Sequence, residues 1–184
     1  MKVGVGPGGL VALSFSRSTH EKTEIMTAYR LDPSTTQLRF RARGLWGAVP
    51  VTGSFGRAEG QLTLRERTAG AIEICIDAAS IETGLCLRDN YLRGERFLHV
   101  REYPTIASSG AVSNAPDGLL LDGSLTVRGR EVPQVLQVAT FGASLDLSGA
   151  ITEDIDLDAF EFTPPFGMVR RDVRLELRGA FRQE

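Results

Sequence analysis

Soft metal ligands are scarce in this chain: two histidines, His20 and His99, and two cysteines, Cys75 and Cys86, in 184 residues. Spread this way they offer neither a zinc spacing nor a histidine-rich site, and the cysteines form no redox motif, so no metal and no cofactor is expected. A disulfide between Cys75, in a strand pattern, and Cys86, near a helix start, is geometrically open, but free and partly apolar thiols are the expectation. No apolar run approaches the ~18 residues of a membrane span, which argues against stable membrane insertion. A strong charge of one sign is also lacking. A net charge of −2 demands neither nucleic acid nor an anionic surface as partner. Lysine is nearly absent, with Lys2 and Lys22 alone, and no partner follows from the arginine that replaces it. No Gly-x-Ser-x-Gly elbow is present, and neither histidine has the acid and nucleophile neighbours of a catalytic base.

The first 28 residues read as an arm. Gly4-x-Gly6-x-x-Gly9 has the spacing of a dinucleotide-binding turn, but strands follow instead of a helix and parallel strand, so the spacing carries no cofactor. Lys2 precedes a mildly apolar run to Phe15 with no small-x-small cleavage site after it, and a cytoplasmic location is expected rather than export. Ser18-Thr19-His20-Glu21 is a capping box for a short helix over residues 19–27.

From Tyr29 onward apolar and polar residues alternate. Leu38, Phe40 and Ala42 interleave with Gln37, Arg39, Arg41 and Arg43, and the same period of two recurs in rows such as Ile72, Ile74, Ile76 and Val173, Leu175, Leu177. Glycines at 60, 70, 118, 129 and 142 punctuate the rows where tight turns are needed. About eight strands, each with one apolar face, argue for an all-β fold, a closed antiparallel barrel spanning residues 29–184. The three arginines form a solvated outer face paired with glutamates, since no aromatic is interleaved for base stacking. Asp154, Asp156 and Asp158 have the spacing of a calcium loop, but Ala159 and Pro165 stand where its glycine and bidentate glutamate belong. They are expected to be a strand's charged outer face instead.

One internal stretch has helical spacing. Leu87, Tyr91 and Leu92 share a face, with Asp89 and Arg93 four apart on the other, which predicts a helix within residues 86–96. Around it lie Ala79-Ser80-Ile81-Glu82-Thr83-Gly84, Arg88-Asp89-Asn90-Tyr91-Leu92-Arg93-Gly94 and Phe97-Leu98-His99-Val100-Arg101-Glu102-Tyr103-Pro104-Thr105-Ile106. Together they resemble the ASIDTG, RDxHLRS and FFDxxxYPTI core of the YceI-like, polyisoprenoid-binding family. Tyr29-Arg30-Leu31-Asp32-Pro33, Gly53-Ser54-Phe55 and Gly123-Ser124-Leu125-Thr126-Val127-Arg128-Gly129 extend the resemblance over residues 29–182. The family has Asp where this chain has His99, and His where it has Tyr91.

The resemblance implies a lipocalin-like barrel whose apolar pore holds a long isoprenoid, a quinone or a fatty-acid-like lipid without chemistry. Alternation places Leu38, Phe40, Ile74, Ile76, Leu125, Val127, Leu136, Val138, Leu175 and Leu177 on the pore side, and Trp46 and Tyr91 complete the candidate ligand-contact set. Trp46 either closes one barrel end or touches ligand. Arg88, Asp89 and Arg93 either greet a polar head at the mouth or tie the helix to a strand end, the latter being expected; His99 is expected to be packed and structural. Phe160, Phe162 and the prolines after them either narrow the pore or form a patch for a homodimer. A cavity enzyme would need an inward acid, and alternation puts Asp77, Asp122, Asp146 and Glu176 outward; a barrel filled by its own side chains, acting as an interaction module, is the third reading. Removing residues 1–17 is expected to leave solubility and ligand retention unchanged. Loss of soluble protein on truncation would instead make the arm a strand or plug of the barrel.

Overall fold

A computed structural model of the chain describes residues 26–44, 49–66, 69–141, 147–162 and 172–184. Among them, eleven strands join in one antiparallel sheet: β1 (Met26–Leu31), β2 (Gln37–Gly44), β3 (Val49–Phe55), β4 (Ala58–Arg65), β5 (Ala69–Asp77), β6 (Ile81–Glu82), β7 (Thr105–Ala115), β8 (Gly118–Val127), β9 (Arg130–Phe141), β10 (Leu147–Asp156) and β11 (Asp172–Gln183). The first six are three long strands, each interrupted once. β1 and β2 both run antiparallel to β11, with Leu31 opposite Phe181 and Leu38 opposite Leu177. Their neighbours β4 and β3 pair with them in turn, as do β5 and β6 with β4 and β3. Counted this way the barrel has eight strands in sequential order, closed where β11 meets β1 and β2.

Local side-chain hydrogen bonds build two of the interruptions. Between β1 and β2, Asp32 Oδ1 accepts from Ser34 N (2.9 Å) and Ser34 Oγ (2.7 Å), an Asx turn that Pro33 favours. These bonds from Ser34, with Arg182 alongside, hold the Asp32 carboxyl below its usual range. Between β5 and β6, Asp77 Oδ1 accepts from Ala79 N (2.8 Å) and Ser80 Oγ donates to the Asp77 carbonyl (2.6 Å), winding Ala78–Ser80 into one turn of 3-10 helix. At the β8–β9 hairpin, Arg128 and Gly129 both adopt positive φ (52° and 71°), the combination a tight turn requires.

The expected rows do face inward. Ile72, Ile74 and Ile76 are buried, as are Leu62 and Leu64, and together with Tyr29, Leu38 and Leu121 they belong to one continuous core. Small residues on the inner face let the wall curve. Gly110 and Gly123 are paired across β7 and β8, and a Cβ on Gly123 would lie 2.1 Å from the Ser109 carbonyl oxygen and 2.6 Å from Gly110 Cα. On the outer face, Arg41 reaches Glu176 at 4.0 Å and Arg174 pairs with Asp154 through two hydrogen bonds (2.8 and 2.9 Å), which hold the Asp154 carboxyl below its usual range. Asp156 caps a second turn of 3-10 helix, Leu157–Phe160, by accepting from Asp158 N.

Among the described residues one α-helix, α1 (Cys86–Arg93), lies between β6 and β7, inside the predicted range. Its faces differ from the expectation. Leu87 is 87% exposed, whereas Asp89 is 5% exposed and buried beside Leu92. The cause is a polar partner: the Thr83 loop packs against this face and Asp89 hydrogen-bonds it, so the carboxylate goes inside and Leu87 outside. Residues 19–25 of the expected N-terminal helix lie outside the described residues, and Met26 and Thr27 belong to β1 rather than to a helix. Both cysteines are free, Cys75 partly buried and Cys86 exposed.

One pairing is incomplete. β10 pairs with β9 only at Ser148–Phe141, Gly149–Thr140 and Ala150–Ala139, while its pairing with β11 runs from Leu147 to Asp156. Past Ala150 the two strands separate, and the Leu157–Phe160 turn bridges the gap, held by Arg130 Nε to the Ala159 carbonyl (2.9 Å) and Arg130 to Glu161 (2.6 Å). A Gly123→Ala variant is expected to force β7 and β8 apart, at a cost of about 2 kcal/mol and roughly 4–8 °C in Tm for a chain of this size. Differential scanning calorimetry measures it, and an unchanged Tm would show that the wall tolerates a Cβ there.

Candidate functional site

The barrel interior is divided. The larger chamber, about 380 Å³, lies toward the helix end and is walled by Phe40, Ala42, Val51, Phe55, Ile76, Ile106, Leu125, Val127, Ile155, Val173 and Leu175 from the strands. Ile81, Leu92, Phe97 and Leu98 close it from the helix side, and Leu157, Phe160 and Phe162 from the second 3-10 turn. Its aromatic groups pack on one another: Phe40 and Phe55 at 5.8 Å between centroids, Phe97 and Phe162 at 5.1 Å, Tyr91 and Phe97 at 6.3 Å. Arg128 lies over the Phe162 ring at 5.7 Å from its centroid. Val49 and Tyr91, both more than a third exposed, mark where the chamber meets solvent. Toward the other end a second space of about 50 Å³ is lined by Ile74, Leu119, Leu121, Val138, Ile151, Leu177 and Phe181, among others. The two share no lining residue.

That division sorts the sequence-derived candidates. Phe40, Ile76, Leu125, Val127, Leu175 and Tyr91 line the large chamber, while Ile74, Val138 and Leu177 line the small one. Leu38 and Leu136 pack in the core and line neither. Trp46 lies outside the described residues, as do Asp146 and residues 163–171. Phe160 and Phe162 are buried in the chamber wall, which leaves neither of them for a dimer patch.

Charged side chains of the helix do structural work, the arginines through a loop hydroxyl and backbone carbonyls and Asp89 through its carboxylate. Thr83 is clamped from two sides: Asp89 Oδ1 accepts from its N–H (2.9 Å) and from its hydroxyl, while Arg88 donates from Nε to its Oγ1 (2.7 Å) and from Nη2 to its carbonyl (2.8 Å). Arg93 donates from Nε to the Ala79 carbonyl (2.8 Å) and from Nη2 to that of Ile81 (2.6 Å). Arg88 has a second aspect, being the one charged side chain among the described residues lining the large chamber. His99, at φ 48°, stands partly buried outside the chamber, its Nδ1 3.2 Å from Glu102 and its ring edge-on to Tyr103 at 5.8 Å. Glu102 also accepts from the Tyr103 hydroxyl and raises its pKa above the ordinary value.

Sequence reasoning missed inner polar residues, Glu153 and Gln134 among them. Cross-strand partners share a face. Glu153 stands opposite Leu175, which lines the large chamber, and Gln134 stands opposite Gly123, in the row that continues through Gly110 to Ile72. Both side chains therefore start on the inner face, at the level where the two spaces meet. Glu153 lies between Ile151 of the small space and Ile155 of the large one. Its signal was present in the alternation of Ile151 and Ile155, but the acidic run of 153, 154, 156 and 158 obscured it.

A family model described as the YceI-like domain matches residues 29–181. The chain belongs to the YceI-like family. Relatives in this family include a UPF0312 protein of Yersinia pestis, 29% identical over 149 residues, which cover 76% of this chain and 77% of the relative. One from Yersinia enterocolitica is 28% identical over 165 residues, 83% of this chain and 85% of the relative. Among solved structures, Burkholderia cenocepacia BcnA superposes with a TM-score of 0.74 at 18% identity, covering 82% of this chain and 98% of its own. A polyisoprenoid binding domain from Saccharophagus degradans gives 0.69 at 17%, covering 86% and 99%. These two likenesses show the barrel fold. Among the described residues, no helix is long and apolar enough to cross a membrane.

The Thr83 clamp fixes the helix that closes the chamber. A Thr83→Val variant, matched in shape but without the hydroxyl, is expected to leave the buried Asp89 carboxylate short of a donor and to cost about 1–3 kcal/mol in urea unfolding. Unchanged stability would show that the clamp is dispensable to the fold.

Proposed function

We propose that this protein binds and carries an apolar ligand in the large chamber without transforming it. The observation that carries this reading is a space of about 380 Å³, within the size range of small-molecule sites, whose lining is apolar apart from Arg88 and the Tyr91 hydroxyl. Each methylene buried there contributes about 0.8 kcal/mol, so ten carbons gain roughly 8 kcal/mol, enough to offset much of the ~4–15 kcal/mol that association costs. Family membership supports the same reading, as does the fold likeness to a domain described as polyisoprenoid binding. Carriage is favoured over conversion by the lining itself. Arg88 already spends two donor groups on Thr83, and the Tyr91 hydroxyl belongs to a residue at the rim.

The two spaces give this proposal a contrast. Val127 faces the large chamber and Val138 the small one. Val127→Trp is expected to fill the chamber, abolishing binding of an environment-sensitive apolar dye while the apo Tm stays within a few degrees. Val138→Trp has no such room and is expected to overpack, losing about 1–3 kcal/mol, or roughly 2–12 °C, with dye binding retained in whatever protein stays folded. Dye titration with differential scanning fluorimetry reads both. Undiminished binding by Val127→Trp would remove the chamber as the ligand site.

A further inference from the structure

The mouth of the large chamber opens on a face that differs from the rest of the surface. We propose that this face, the outward side of α1 with the arginine cleft beside it, docks peripherally on an anionic lipid bilayer, so that the chamber opens toward the membrane. The docking stands on the surface itself; only its purpose, exchange of cargo with the bilayer, rests on the carrier reading above.

Six large apolar side chains are exposed among the described residues, and four of them, Val49, Leu85, Leu87 and Tyr91, belong to the mouth or to the helix beside it. Leu87 and Tyr91 stand four apart and so share one face of α1, with Leu85 preceding them at the N-cap. Met26 and Val135 stand singly on β1 and β9. Scattered apolar residues are ordinary on a protein surface, whereas a group of them at the rim of an apolar chamber marks a contact face.

The charge that selects the partner lies next to that ridge. Tyr91 lines the chamber mouth on one side and, on the other, a surface cleft walled by Arg93, Arg96 and Arg101 against one carboxylate, Glu95. Arg93 is committed to the Ala79 and Ile81 carbonyls, but Arg96 and Arg101 are exposed and have no hydrogen bond or ion pair to another described residue. His99 also lines the cleft, its Nδ1 facing Glu102 at 3.2 Å. Leucines and a tyrosine that enter the boundary between headgroups and acyl chains, flanked by arginines that meet lipid phosphates, suit an anionic interface. The net charge of −2 draws the chain as a whole to no anionic surface, so the attraction is local, acting within about 10 Å at 0.1 M salt, and it orients the mouth toward the lipid. A second copy fits this face less well, since a two-fold contact across it brings two like-charged clefts together.

The test is sedimentation of the full chain with vesicles of phosphatidylcholine alone and of phosphatidylcholine with about a third phosphatidylglycerol, at about 0.05 M and about 0.5 M salt. The wild-type protein is expected to bind the anionic vesicles about tenfold or more tighter than the neutral ones, and to lose most of that binding at high salt. Leu87→Asp should weaken it about tenfold, and so should Arg96→Glu combined with Arg101→Glu, while Val135→Asp, on the outer barrel wall, should not. Position 87 lies in the first turn of α1, where the helix dipole favours a carboxylate, so Leu87→Asp is expected to keep the wild-type Tm. None of the four substituted residues lines the chamber, and apolar-dye binding should survive in every variant. Absence of wild-type binding to anionic vesicles overturns the docking, whatever the dye reads. Undiminished binding by Leu87→Asp, or equal loss in Val135→Asp, removes this face, and equal affinity for neutral and anionic vesicles removes the anionic partner. A dimer that Leu87→Asp abolishes, in place of vesicle binding, gives the face to a second copy. A wild-type protein that binds vesicles but takes up no dye sinks the carrier reading and leaves the docking standing.

Discussion

Closure of the sheet is the constraint on which the rest depends. β11 divides one edge between β1, at Phe181 to Gln183, and β2, at Arg174 to Arg178, and no interior exists without that shared edge. The five residues that leave the wall between β1 and β2 are held by Asp32 through Ser34 and the Thr36 hydroxyl, while Asp32 N donates to the Ala180 carbonyl on β11. The excursion thus stays tied to the strand it interrupts. A closed ring has no edge for another chain to pair with along most of its circumference, which is how an eight-stranded barrel avoids edge-to-edge association.

Within that ring the two halves solve different problems. The end lined by Ile74, Leu121 and Leu177 is nearly filled, so it supplies packed core. The helix end is held open by rigid parts: a helix fixed through Arg88, Asp89 and Arg93 to backbone groups of residues 79–83, and a 3-10 turn fixed through Arg130. Hydrogen bonds to backbone carbonyls suit this purpose because their geometry is set by the chain itself and does not depend on a second mobile side chain. Apart from Arg88, which also reaches the lining, the polar network lies behind the apolar wall and pins the chamber's roof.

Much of this was legible in the chain. A strand's period of two requires only that one face be apolar, and Phe40, Ile76, Leu125, Val127 and Leu175 fell on the inner face because nothing else on their strands competes. The helix was located but its orientation was misjudged, since helical periodicity assumes that the buried face is the apolar one. Here a loop hydroxyl and N–H at Thr83 recruit Asp89 inward, and Leu87 is left in water. The division of the pore was beyond pattern reading, because it depends on the summed volumes of side chains from eight strands at one height. Glu153 was missed for a subtler reason: Asp154 and Asp156 are outward as read, and only the unbroken register from Leu147–Phe181 to Asp156–Asp172 shows that their neighbour must be inward.

An apolar chamber left unfilled has an energetic consequence. Side chains that line such a space lack, on one side, the contacts a packed core would give them. A chain selected only to fold would fill such a space with larger side chains, and the lining shows where it has not: Ala42, Val51, Val127 and Val173 are small beside the phenylalanines that share the chamber. Small residues held on a stiff wall, with aromatic rings at the roof, preserve a volume against collapse. The forgone packing is recovered only when something apolar occupies the chamber, so occupancy and stability are thermodynamically linked, each favouring the other.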